Sequence, residues 1–214
     1  MRGQKKQILS TQNLAYPIKK NTRGFYLVIT QDRFDALRRC LHFLLKYNSY
    51  PVYIALADNE EDAYRKKTMI GFLSPFDTTV QLDTDTLVNG NLDFLFELGE
   101  RGYIGLKHET RYNFYNAGIF VLPKDLKVSL SMEWLARYNM KPNKEAGAFD
   151  QDILNELIKK YPVFDLPFEY NAILQEITPE QELEMWDSIK IFHFLHSNAT
   201  DRSKFKSFAL YNSV

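Results

Sequence analysis

The chain has 214 residues, 45% hydrophobic and 14% aromatic, with 27 basic against 27 acidic side chains and no net charge. That is apolar material for one large domain, and the balanced charge excludes a nucleic-acid-coating or polybasic membrane-surface protein. The single cysteine, Cys40, excludes an internal disulfide framework and a multi-cysteine zinc site, and fits a reducing compartment.

Residues 1–22 form a basic arm carrying Arg2, Lys5, Lys6, Lys19 and Lys20, and no acid precedes Asp32. It reads as a solvated segment ahead of one domain over 23–214. Ile8-Leu9 runs straight into Ser10-Thr11-Gln12-Asn13, so the apolar stretch of a secretory signal is missing, and a cytoplasmic location is expected. The longest apolar run, Tyr50 to Ala57, is far short of the roughly 20 residues a membrane span needs.

Phe25-Tyr26-Leu27-Val28-Ile29-Thr30 reads as a strand buried on both faces. An amphipathic helix follows, with Phe34, Leu37, Leu41, Leu44 and Leu45 on one stripe. Pro51 to Ala57 is expected to be a second buried strand, and Asp58 to Asp62 an acidic loop or helix start. Tyr64 to Leu73 reads as helix, broken by Ser74-Pro75, and Thr79 to Leu82 as a third strand. Strand and helix in alternation predict an α/β fold around a mostly parallel sheet with right-handed crossovers. Tyr103 to Leu106 and Gly118 to Leu122 are strand-like. Asp150 to Tyr161 is helical, with Ile153, Leu154, Leu157 and Ile158 on one face. Thr178-Pro179-Glu180-Gln181 has the pattern of a capping box with proline at the first helical position. Ile189 to Leu195 is a last strand. With no repeat and no linker, one domain is the better count.

The chemistry concentrates in Gln81-Leu82-Asp83-Thr84-Asp85-Thr86-Leu87-Val88. Two carboxylates spaced i, i+2 at the carboxyl end of a buried strand sit where open α/β sheets bind ligands. In an extended strand they point to opposite faces. If the chain turns after Leu82, both can meet on one hard cation, whose preferred ligands are oxygens. Taken alone, the pair equally caps a turn. Similar plain readings exist elsewhere. Asp150 serves as a helix N-cap, His193 between Phe192 and Phe194 as a buried structural histidine, Asn116-Ala117-Gly118 as a turn, and Lys66-Lys67 as a solvated helix face. His108 and His196 read as structural or surface residues. Asn198-Ala199-Thr200 matches the glycosylation sequon and reads as chance without a secretory signal.

The stretch Lys67 to Phe96 resembles the core signature of GT-A glycosyltransferases, and within them the family-8-like group typified by glycogenin and bacterial galactosyltransferases. Three further segments match in order: Tyr112-Asn113-Phe114-Tyr115-Asn116-Ala117-Gly118-Ile119, Phe149-Asp150-Gln151-Asp152-Ile153-Leu154-Asn155 and Ile191-Phe192-His193-Phe194. The resemblance implies a GT-A fold, with a Rossmann-like nucleotide-binding half and an acceptor half. It implies that Asp83, Asp85 and His193 bind Mn²⁺ (or Mg²⁺), with Thr84 between the acids beside the nucleotide. Lys67 lies near the phosphates, with Lys66 as the fallback. Asn116 and Ala117 line the donor-sugar pocket, and Asp150 and Gln151 sit beside the anomeric carbon. Thr30, Gln31, Asp32 and Asp58 lie near uracil and ribose.

The implied reaction is transfer of a hexose or deoxyhexose from a UDP-sugar donor to a hydroxyl of a glycan or glycoprotein acceptor, with no nucleic acid involved. The family favours retention at the anomeric carbon, whereas a carboxylate base for the acceptor would invert, and Asp150, Asp152 and Asp77 are equivalent for that role in sequence. The chain departs from the family after His193-Phe194. A glycine and a Lys-Pro-Trp give way to Leu195 through Lys204, where Arg202 or Lys204 offers the charge instead. The alternatives are a non-catalytic nucleotide-sugar or glycan-binding module, and a haloacid-dehalogenase-like phosphatase, whose own D-x-D normally follows the first strand.

Overall fold

The computed structural model describes residues 22–110, 113–140, 149–195 and 202–214. The basic arm up to residue 21, His196 and the Asn198-Ala199-Thr200 sequon lie outside the described residues, as does Tyr112. Strand β1 (Arg23–Thr30) is the central strand its apolar run predicts. Its side chains alternate between two cores. Phe25, Leu27 and Ile29 pack on one face with Leu44 of α1 (Phe34–Tyr47) and Phe96 of α4 (Asp93–Glu100). Tyr26 and Val28 pack on the other face with Trp134 of α5 (Lys127–Met140) and Leu154 of α6 (Phe149–Leu157).

β1 is flanked in parallel by β2 (Val52–Ala57) and β3 (Thr78–Leu82). The six-stranded sheet continues through β6 (Phe114–Leu122), β5 (Ile104–Glu109) and β7 (Val163–Asp165), in the order β2-β1-β3-β6-β5-β7. β5 and β7 pair in parallel, while β6 runs antiparallel to both its neighbours. A small second sheet holds β4 (Thr86–Val88), β9 (Ile191–His193) and β8 (Ala172–Ile173), in the order β4-β9-β8. The fold is therefore α/β with a mostly parallel central sheet flanked by helices, as expected. Among the described residues no helix is long and apolar enough to cross a membrane.

Several local expectations change. β2 is an edge strand, not a buried one: Tyr53, Ile54 and Leu56 are exposed, because only β1 pairs with it and a helix covers only part of its faces. On α1 the buried residues are Leu37, Cys40, Phe43 and Leu44, and the ends of the expected stripe, Phe34 and Leu45, face solvent. The helix expected from Tyr64 begins earlier. Asn59 caps α2 (Glu60–Thr68) through a side-chain oxygen that accepts from the Asp62 amide at 2.9 Å, and the chain breaks at Met69 before a short α3 (Ile70–Leu73). The segment Asn116-Ala117-Gly118 is not a turn but lies within β6. The Thr178 capping box is present and starts α7 (Pro179–Met185). Glu182 of α7 is fully buried and accepts from the first amides of α8 (Lys206–Tyr211), which holds the C-terminal helix against the body.

Candidate active site

The carboxyl ends of β1, β2 and β3 open on one edge of the sheet, and the chain does turn after Leu82. Asp83 donates its amide to the Gly118 carbonyl at 2.8 Å, which keeps the loop registered on β6. The Thr86 hydroxyl reaches back to the Asp83 carbonyl at 2.7 Å, and the Tyr211 hydroxyl of α8 donates to the Thr84 carbonyl at 2.8 Å. The Asp85 carbonyl accepts from the amide of Phe194, the residue just after β9 of the second sheet. These four ties impose a turn that brings the two carboxylates to one side. Buried Cys40, its thiol pushed up to about 12 by burial, packs under the turn beside Thr86.

His193 completes the cluster. One carboxylate oxygen each of Asp83 and Asp85 and one ring nitrogen of His193 lie within 4.8 Å of one another. His193 is 1% exposed, and its Nε2, 3.5 Å from Asp85 Oδ1, has no hydrogen-bond partner among the described residues. Burial opposes charge on the ring, but Asp85 in front and Asp83 beyond it outweigh burial and raise its pKa. A glycine lies beneath the ring for a steric reason: a Cβ at Gly118 would stand 2.1 Å from His193 Cε1. Two carboxylate oxygens and an orphaned imidazole nitrogen form a donor set suited to a divalent cation.

Lys67, on α2, reaches across to Asp83 Oδ1 at 2.6 Å. Burial disfavours its charge, but Asp83 and Asp150 more than offset this, so its pKa is raised and the ammonium persists. Lys66 points elsewhere, to Asp62 and the Leu56 carbonyl. Asp150 lies in the first turn of α6, 5% exposed, rather than ahead of it as a cap. Its pKa is raised by burial against the opposing pull of Lys67. Gln151 accepts from the Ala117 amide at 2.9 Å, which docks the start of α6 onto β6.

Asp152 is exposed, about 200° round the helix from Asp150. Asp77 pairs with Lys124 at the opposite end of β3 from Asp83. Of the three acids equivalent in sequence, only Asp150 shares the electrostatic cluster of Lys67 and Asp83.

A cavity of about 480 Å³ joins Asp83, Thr84, Asp85 and Lys67 to Thr30, Asp32, Asp58 and Asn59 at the ends of β1 and β2. Gln31, exposed on the turn after β1, does not line it. A neighbouring cavity of about 290 Å³ brings Arg39 and Arg202 next to Asp85, Asp32 and Tyr211. Arg39 faces the Tyr211 ring at 5.5 Å, and its Nε has no hydrogen-bond partner among the described residues.

Asn116 is buried, and its amide is taken up by Glu109, Asn171 and the Gly118 amide. Sequence reasoning missed Arg39, Glu109 and Asn171. Arg39 reads as one more polar position on α1, and no spacing links Glu109 or Asn171 to His193.

No family model matches the sequence. The chain is 28% identical over 192 residues to human glycogenin-2, covering 82% of this chain and 37% of that protein. The fold is similar to that of the glycosyltransferase GlyE of Streptococcus pneumoniae, with a TM-score of 0.65 and 16% identity over 90% of this chain and 63% of that one. It is similar also to the galactosyltransferase LgtC, solved in complex with donor and acceptor sugar analogues, with a TM-score of 0.61 and 13% identity over 89% of this chain and 96% of that one. The chain thus spans just over a third of glycogenin-2 and less than two thirds of GlyE. It has the GT-A glycosyltransferase fold, and it resembles the family-8-like group of those enzymes in the order of its motifs.

Proposed function

We propose that the chain is a metal-dependent glycosyltransferase that moves a hexose or deoxyhexose from a UDP donor to a hydroxyl of a glycan or glycoprotein. The convergence of Asp83, Asp85 and His193, with the two acids lining the 480 Å³ cavity, carries this reading. These three residues would hold the ion, and the imidazole nitrogen suits Mn²⁺ better than Mg²⁺, which favours an all-oxygen shell. When bound, the ion supplies positive charge to the departing diphosphate.

The remaining residues act directly. Lys67, kept protonated by Asp83 and Asp150, offers a second positive charge where the sugar–phosphate bond breaks. Arg39 and Arg202, which line the neighbouring cavity beside Asp85, offer further positive charge on its far side. Asp32 and Asp58 on the cavity wall accept hydrogen bonds from ribose hydroxyls and the uracil N–H, with Thr30 and Thr84 beside them. Asp150 and Gln151 face the anomeric carbon, where a buried carboxyl and an amide oxygen stabilise oxocarbenium character. Ala117 and Asn116, buried in β6 with the Asn116 amide taken up by protein groups, would support the donor-sugar pocket from beneath rather than touch the sugar.

The test is a panel of UDP-sugars with Mn²⁺, read by UDP release and by thermal shift with UDP plus metal. Release from at least one donor is expected. Neither release nor a shift from any of them overturns the reading, and binding without turnover under every acceptor supports a non-catalytic module instead. Asp85→Ala is expected to abolish metal-dependent UDP binding.

A further inference from the structure

We propose that Asn171 is a positioning residue that holds His193 in the tautomer protonated on Nδ1, so that the bare Nε2 faces Asp83 and Asp85. The proposal builds on the metal site above, but its logic is a chain of buried hydrogen bonds that stands by itself. His193, Asn171, Asn116 and Glu109 are all at most 4% exposed, so bulk water satisfies none of them.

The chain starts at a backbone amide, which can only donate. Gly118 N–H donates to Asn116 Oδ1 at 2.9 Å, which fixes which end of the Asn116 amide is oxygen. Its Nδ2 then faces the Glu109 carboxylate at 2.7 Å, the acceptor that orientation requires. Asn116 Oδ1 also receives Asn171 Nδ2 at 3.1 Å, which fixes the second amide. Asn171 Oδ1 is left 3.0 Å from His193 Nδ1, and an amide oxygen can only accept, so the proton sits on Nδ1.

In the neutral ring Nε2 therefore presents a lone pair to the Asp83–Asp85 carboxylates, which matches its lack of a hydrogen-bond partner among the described residues. A bare nitrogen facing carboxylates needs a cation between them, and a partner on the other ring nitrogen is how metal-binding histidines are oriented. Glu109 on β5, Asn116 on β6, Asn171 beside β8 and His193 on β9 thus link the central sheet to the small one through this ligand.

The experiment records the His193 ring nitrogens by long-range proton–nitrogen NMR on metal-free protein in alkaline buffer, where the ring is neutral. Mn²⁺ affinity is measured by calorimetry with the metal alone. Wild type is expected to show protonated Nδ1 and bare Nε2. In Asn171→Leu the proton should move toward Nε2, where Asp85 is the remaining acceptor, and Mn²⁺ affinity should fall about 10- to 100-fold. Asn171→Asp keeps an acceptor at Nδ1 and should hold the tautomer, but it loses the donor to Asn116 Oδ1, so stability should drop and Mn²⁺ affinity should fall less than in Asn171→Leu.

Wild-type His193 protonated on Nε2 overturns the proposal, as does Asn171→Leu with wild-type tautomer and affinity. If Asn171→Leu does not fold, the wild-type spectrum still decides. A wild type that shows the expected tautomer but binds no Mn²⁺ refutes the metal reading and leaves the hydrogen-bond assignment standing.

Discussion

Replacing Gly118 with alanine tests the site through one methyl group. The added Cβ would lie 2.1 Å from His193 Cε1 and 2.9 Å from each ring nitrogen. Carbon atoms rest about 3.5–4.0 Å apart, so the ring must retreat by about 1.5 Å. The ring is buried and bonded to Asn171 at 3.0 Å, and that displacement breaks the bond. Overpacking costs about 1–3 kcal/mol and the lost hydrogen bond about 1 kcal/mol, so Gly118→Ala should lose about 2–4 kcal/mol in metal-free urea unfolding.

Metal geometry tolerates only about 0.2 Å, so Mn²⁺ affinity by calorimetry should fall by about 100-fold or more. Gly105→Ala is the control: its Cβ meets Val121 at 2.8 Å and Leu98 at 2.9 Å, away from the acids. It should lose stability and keep its Mn²⁺ affinity. Wild-type Mn²⁺ affinity in Gly118→Ala would refute the placement of His193 as a ligand.

Arg23 grips Glu100 through two bonds of 2.7 Å and, by those hydrogen bonds, holds its carboxyl below the usual range. A lowered carboxylate pKa adds stability that is present above the unfolded value and lost as pH falls through the folded one. Glu100→Gln should therefore cost about 0.5–1 kcal/mol at neutral pH, discounted for a side chain one-third exposed. The difference should begin to shrink as pH falls through about 4 and vanish only in stronger acid, below the lowered folded value, and equal destabilisation at neutral and strongly acid pH counts against the ion pair. Arg39→Ala should lower kcat/KM for the donor about tenfold, the loss of one charge-assisted phosphate contact, with Mn²⁺ affinity unchanged. Wild-type kcat/KM would remove Arg39 from the site.

Much of the architecture is legible from local pattern. The run Phe25 to Thr30 identifies a strand with both faces covered, and the alternation that follows predicts a mostly parallel sheet, whose order β2-β1-β3 only the fold reveals. The Thr178 capping box is readable because its bonds span only three residues. β2 reads as buried in sequence because an apolar run records side-chain chemistry and not the number of neighbouring strands. The antiparallel entry of β6 has no sequence signature, since the direction of pairing depends on how the chain returns to the sheet.

The aspartate pair, His193, Lys67 and Asp150 stand in the order of the motifs they resemble, and that much is a property of the chain alone. Whether Asp83 and Asp85 converge was decided by bonds from Gly118, Thr86, Phe194 and Tyr211, which arrive from distant points in the sequence. Packing likewise separated Lys67 from Lys66, and Asp150 from Asp152 and Asp77. The tautomer of His193 follows from three buried residues that no spacing connects to it. Local interactions select backbone conformation and are written in neighbouring residues. A site gathers groups that are close only after folding, so its geometry exists only in the tertiary structure.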